Sequence, residues 1–131
     1  MFIAPTPDQR AATAKLNDAA RARIGIDTII WLTHGFMQLS VEDQTAVRAC
    51  VTSYDSWNLG YSSESDRDFG VVFQQSDGAW TSYTPDGEGW RNVVFWEISY
   101  HDLTLSKPST TPWDEATTAR ILMLMLADEY D

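Results

Sequence analysis

The chain has one cysteine, no long apolar run and few basic residues, and each shortage excludes something. Cys50 by itself cannot form an internal disulfide, so nothing in the thiol content points to an oxidising compartment. The longest apolar run, ILMLMLA at 121–127, falls far short of the roughly 20 residues needed to cross a bilayer. The opening MFIAPTPDQR has neither the basic start nor the apolar stretch of a secretory signal, so a cytoplasmic, soluble protein is expected. Nine Lys and Arg against 19 Asp and Glu leave a net charge of −10. Residues 1–30 carry four bases and three acids, a net of +1, so the other 101 residues hold −11. Such a surface repels nucleic acid and anionic membranes, which require basic patches. It suits a basic protein surface, although solubility alone also explains it.

Motifs of the common catalytic and nucleotide-binding classes are missing too. The chain contains no P-loop, dinucleotide fingerprint, metalloprotease helix or Gly-x-Ser-x-Gly elbow. No repeat or linker breaks its 131 residues, and that length predicts a single domain spanning 1–131. No cofactor is expected.

Periodicity then gives the elements. Residues 7–24, rich in Ala, Lys and Arg behind a Pro, predict a helix that stops at Gly25. DTIIWLT at 27–33 is β-branched and apolar on both faces, as expected of a central, doubly covered strand. Ser40 and Asp43 form a helix-start signal, followed by Val47, Cys50, Val51 and Tyr54 at helical spacing. The polar stretch 58–67 is expected to be a loop. From Phe69 the period changes to two, with an Asp77-Gly78 turn, a return strand at 79–84, a second turn at 85–89 and a long strand at 90–101. In the last of these Val94, Trp96, Ile98 and Tyr100 face one way, and Phe95, Glu97, Ser99 and His101 the other. Thr111-Pro112-Trp113-Asp114 resembles a helix start and predicts a closing helix to about Tyr130, apolar on all sides over Ile121–Ala127. The expected fold is α+β: an antiparallel sheet of about four strands with helices packed on it, in the order α-β-α-β-β-β-α.

Three constellations carry candidate chemistry. Glu97, Ser99 and His101 share a strand face, but a nucleophilic serine needs an acid orienting its base and donors for an oxyanion. A solvated sheet face is the plainer reading. Asp66, Asp68 and Asp102 with His101 would supply a divalent-metal-dependent hydrolase, the alternative function. SSESDRD lacks the oxygen spacing of a calcium loop, so an Asp-Arg ion pair is the simpler account. Trp80, Tyr83 and Trp90 flank acid-bearing turns with Asp86 and Glu88, and Glu64, Asp66 and Asp68 lie in a second acidic stretch. Indoles beside acids are what a basic protein partner would meet, whereas packing of Trp80 on Trp90 would only brace a hairpin. These eight residues form the candidate partner-binding set. A homodimer through the Ile121–Ala127 helix is a further expectation.

Taken together, KLNDAAR (15–21), LTHGFMQL (32–39), DRDFG (66–70), VFWEISYHD (94–102) and TTARILMLMLADEY (117–130) resemble a bacterial domain-of-unknown-function family of small acidic proteins. Its members pair a Leu-Asn-Asp helix with Glu-His-Asp-Phe-Gly, Trp-Lys-Ile-Asp-Tyr-Tyr-Asp and Thr-Arg-Val-Leu-Thr-Ile-Met-Leu-Ala segments and often travel on mobile elements. The resemblance covers most of 15–130 and implies one compact domain with no established reaction. It also brings in the inhibitors of host restriction and CRISPR defences found in such settings. Asp66-Arg67-Asp68 stands where the family has Glu-His-Asp, and Glu97, Ser99 and His101 stand where it has Lys, Asp and Tyr. That departure speaks against a catalytic row. The expected function is therefore a small, acidic, non-catalytic protein-binding protein that engages a basic, nucleic-acid-handling partner. Spread evenly, its net charge is about a sixth of the density of duplex DNA, so mimicry of DNA would need the acids on one face.

Overall fold

The computed structural model describes residues 3–57, 65–83 and 89–130. Helix α1 (Pro7–Ala22) begins at Thr6, whose hydroxyl accepts from Gln9 N while Gln9 Oε1 accepts from Thr6 N, so two otherwise unpaired N–H groups are answered. Arg23 caps its far end and Gly25 takes φ +85° in the turn beyond. Strand β1 (Ile29–Leu32) leads into the short helix α2 (His34–Met37) and then α3 (Val41–Thr52). Ser40 Oγ accepts from Asp43 N at 3.1 Å, as the helix-start signal predicts. Strands β2 (Phe69–Gln74), β3 (Trp80–Thr81), β4 (Val93–His101) and β5 (Ala119–Leu126) follow, and a 3₁₀ turn over Ala127–Glu129 closes the chain.

The five strands form one sheet in the order β1-β5-β4-β2-β3, with β1 parallel to β5 and the other pairs antiparallel. The fold is α+β, but the sheet is mixed and has five strands. The expected closing helix is strand β5, an interior strand of the sheet between β1 and β4. A run that is apolar on every side satisfies a strand covered on both faces as well as a buried helix. Leu122 and Leu124 enter the core under the helices, while Ile121, Met123 and Met125 alternate onto the opposite face. The Thr111–Asp114 signal starts only turns, with Asp114 N donating to Thr111 O and Thr117 N to Asp114 O. A homodimer through an Ile121–Ala127 helix therefore has no helix to use, and Ile121, Leu122, Leu124 and Met125 are buried within the chain.

Strand β1 is also differently placed. It is an edge strand, and Ile29 and Trp31 are 39% and 49% exposed. The return strand after Gly78 (φ +95°) is only Trp80–Thr81, and the 85–89 turn falls largely outside the described residues, as do Glu64, Asp86 and Glu88. Alternation in β4 is as the sequence predicts: Val94, Trp96 and Ile98 are buried and the intervening side chains partly so.

The core joins Phe36, Val47, Val51 and Tyr54 to Val72, Val94, Trp96, Ile98, Leu122 and Leu124. The Trp96 indole meets Tyr54 and Trp57 edge-on, with centroids 5.2 and 5.9 Å away. No described helix is long and apolar enough to cross a membrane.

The C-terminus is latched to the start of α2. The Glu129 carboxylate accepts from Thr33 Oγ1 (2.6 Å), Gly35 N (2.9 Å) and Leu126 N (2.9 Å). The Thr33 hydroxyl, followed by those two N–H groups, holds its pKa below the ordinary Glu value. Because the folded pKa is depressed, the latch stabilises above the unfolded pKa and is lost as pH falls through the folded one. Glu129 is largely exposed, so Glu129→Ala is expected to cost only about 1 kcal/mol in urea unfolding at pH 7. The difference from the parent should vanish in strong acid.

Candidate functional site

Helix α1 buries a polar stripe. Thr13, Asn17 and Arg21, four residues apart, are its buried positions. Asn17 Nδ2 donates to Asp66 O and to the Tyr100 hydroxyl, each at 2.9 Å, and Asn17 Oδ1 accepts from Arg120 Nε at 2.6 Å. Both amide hydrogens and the oxygen are thereby used. Tyr100 in turn donates to Asp68 Oδ2 at 2.8 Å. Arg120 reaches on to the Pro112 carbonyl and lies over the Tyr100 ring, 5.2 Å from its centroid. Burial, followed by the Asp68 charge, pushes the Tyr100 phenol far above its ordinary range, and burial lowers the Arg120 pKa. One turn further along α1, Arg21 donates to Asp18 and to the Arg67 carbonyl, with its guanidinium 4.9 Å from the Trp57 ring. Arg67, at φ +57°, pairs with the same Asp18 at 2.9 Å. Three segments distant in sequence, at Asp66, Tyr100 and Arg120, thus close on Asn17.

The acids proposed for a metal site are engaged elsewhere. Asp66 pairs with Arg10 of α1 at 3.3 Å, not with the neighbouring Arg67, which pairs with Asp18, and Asp68 accepts from Tyr100. Asp102 caps the 102–106 loop through Ser106 N, Ser106 Oγ and Thr104 Oγ1, and the Ser106 N–H leads in keeping its pKa low. Among the described residues no three His, Cys, Asp or Glu side chains are grouped to hold a metal ion.

On the sheet face away from the helices, Ser99 Oγ and His101 Nε2 do meet, at 2.8 Å. The other imidazole nitrogen has no hydrogen-bond partner among the described residues, and the Trp31 ring lies 6.3 Å from the imidazole centroid. A serine-histidine contact without an orienting acid lacks the third member that fixes the tautomer. Glu97, next on the row, sits high in pKa through desolvation and then the Asp68 charge.

The hairpin aromatics separate. Trp80 is partly buried against the core, and its indole N–H donates to Asp43 Oδ1 at 3.0 Å, tying the hairpin to α3. It does not stack on Trp90. Trp90 leans on Phe73 with centroids 5.5 Å apart and stays 43% exposed. Tyr83 is 55% exposed, its hydroxyl donating to Asp55 at 2.8 Å. A groove of about 310 Å³ beside Trp90 is lined by Arg91, Asn92, Val93, Leu126, Ala127 and Asp128. A larger groove of about 530 Å³ runs between α1 and the 115–120 segment, with Leu16 and Ala19 on one side and Glu115 and Arg120 on the other.

The sequence singles out Asp66 and Asp68 but not the Asn17, Tyr100 and Arg120 that bind or surround them. Polar residues at i, i+4 and i+8 of a helix were the available signal, since a solvated helix has no reason to align them inward. Comparison with curated proteins and with solved structures finds no match. A family model described as Protein of unknown function (DUF3768) matches residues 32–129, from the end of β1 through the 3₁₀ turn, leaving the Leu-Asn-Asp helix outside the matched span. The chain belongs to that family.

Proposed function

We propose that the protein acts by binding another protein, with no catalytic step of its own. Its partner would present a basic surface, as nucleic-acid-handling machinery does, and the effect would be inhibition or adaptation of the kind that opposes restriction or CRISPR defences. The observation that carries this reading is the Trp90 corner. An indole braced from behind by Phe73 remains open to solvent beside a shallow groove, in a chain of net charge −10. Braced aromatics lose little entropy on binding and dominate interface energetics. Tyr83, held by Asp55, adds a second exposed ring. The other members of the candidate set stand differently. Asp66 and Asp68 already answer Arg10 and Tyr100, and Trp80 answers Asp43, so their replacement would act first on stability.

The immobilised protein should capture its partner from native-host lysate, and raising salt from about 0.1 to about 0.5 M should release it. Trp90→Ala should weaken capture about thirtyfold without moving the melting temperature by more than a few degrees. Capture indifferent to both salt and Trp90 would contradict the proposal.

A further inference from the structure

The free edge of β1 has an unusual combination of properties. Thr33 N donates to Leu124 O across the parallel ladder, so the odd-numbered backbone groups of β1 face β5. The N–H and C=O of Ile30 and Leu32 therefore point outward, and among the described residues they have no partner. Exposed edges are ordinarily blunted by charge, proline or a bulge, and β1 has none of these. From Thr28 to Val41 there is no Asp, Glu, Lys or Arg, the longest uncharged run in the chain. Exposed Ile29 and Trp31 line this edge, and 51%-exposed Met37 flanks a groove of about 440 Å³ that also touches Ile30, Leu32 and Met123.

We infer that β1 pairs antiparallel with β1 of a second copy about a two-fold axis at Trp31, making a continuous ten-stranded sheet. The register follows from the outward groups. Ile30 pairs with the second copy's Leu32 and Leu32 with its Ile30, so four main-chain hydrogen bonds form and none of the outward groups is left over. Trp31 then faces the second copy's Trp31 as a close, non-hydrogen-bonded pair. Charge favours a second copy at this edge. Two chains of net −10 repel over most of their surfaces, and this neutral run is where they approach at least cost. The apolar side chains and backbone edge would bury on the order of 1,000 Å² in total, the lower bound for a specific interface, so a dimer of micromolar affinity is expected. The contact goes beyond the partner-binding reading and is independent of it, because Trp90 lies toward the opposite edge. A dimer would display two such corners and gain avidity for a repetitive partner.

Sedimentation equilibrium from about 1 to about 500 µM should show conversion from one to two chain masses. Trp31→Lys should hold the chain as a monomer throughout with its melting temperature retained. In a Cys50→Ala background, Trp31→Cys should form a symmetric disulfide under oxidised glutathione, since facing Cα atoms about 4.5 Å apart suit the bond. Ile29→Cys, whose two copies would sit about 13 Å apart along the strands, should not. A monomer at every concentration, or cross-linking through Ile29→Cys in preference to Trp31→Cys, would overturn the inference, whether or not another protein binds this edge.

Discussion

Asn17→Leu is expected to lower the unfolding free energy by about 3–4 kcal/mol, because it removes three hydrogen bonds at once, one of them to a charged guanidinium. Leucine keeps the branching and heavy-atom count of asparagine and is somewhat bulkier, so cavity formation is not the main cost. The Tyr100 hydroxyl, the Asp66 carbonyl and Arg120 Nε each lose the bond they make to the fully buried Asn17, while Tyr100 keeps Asp68 and Arg120 keeps the Pro112 carbonyl. An unmet buried group costs about 1–3 kcal/mol, more where it is charged, though water entry would recover part of the sum. Urea unfolding with a shared slope would measure the difference. A loss below about 1 kcal/mol would mean that α1 is held mainly by its apolar residues and that the polar stripe is incidental.

Gly70→Ala should be about as damaging, for a reason of space. A Cβ at Gly70 would lie 2.6 Å from Tyr54 Cζ and 2.7 Å from Trp96 Cε2. Both rings are buried and packed edge-on against each other and Trp57, so neither can withdraw. Overpacking of this kind costs about 3 kcal/mol. Gly25→Ala is the control. Gly25 has φ +85° with nothing near its absent Cβ, so only the backbone cost of about 1 kcal/mol should appear. Equal losses at the two positions would contradict the steric account.

These two residues also show how the sequence could and could not be read. Helices α1 and α3 were legible because their signals are local: a capping hydroxyl, a proline in the first turn, apolar residues at helical spacing. The alternation in β4 was legible because one of its faces is wetter than the other. Strand β5 was not, since ILMLML carries no periodicity and the turn at Thr111–Asp114 imitates a helix start. Nor could β1 be placed. An apolar four-residue strand reads alike at the centre and at the edge, and among the described residues no strand lies beyond β1, whose Ile29 and Trp31 are exposed. The Asn17 clasp escaped for a third reason. Its members lie up to 103 positions apart and become neighbours only when β5 runs beside β4 under α1. The motifs KLNDAAR, DRDFG, SYHD and TTAR, conspicuous in sequence as separate pieces, are in space parts of one structural joint.

That convergence bears on function. The acids that might have served a hydrolase are committed to holding α1 and the 102–106 loop, which moves attention to side chains left open and braced. Trp90 and Tyr83 meet that description at one edge of the sheet, and β1 at the other.

The most direct measurement compares two double variants with the parent in the same host-lysate capture: Trp90→Ala with Tyr83→Ala, and Ser99→Ala with His101→Ala. With melting temperatures shown to agree, the first pair should lose the captured protein and the second should retain it at the parent's level. Capture that survives loss of both rings but fails when Ser99 and His101 are removed would place the working surface on the sheet row and contradict the proposal.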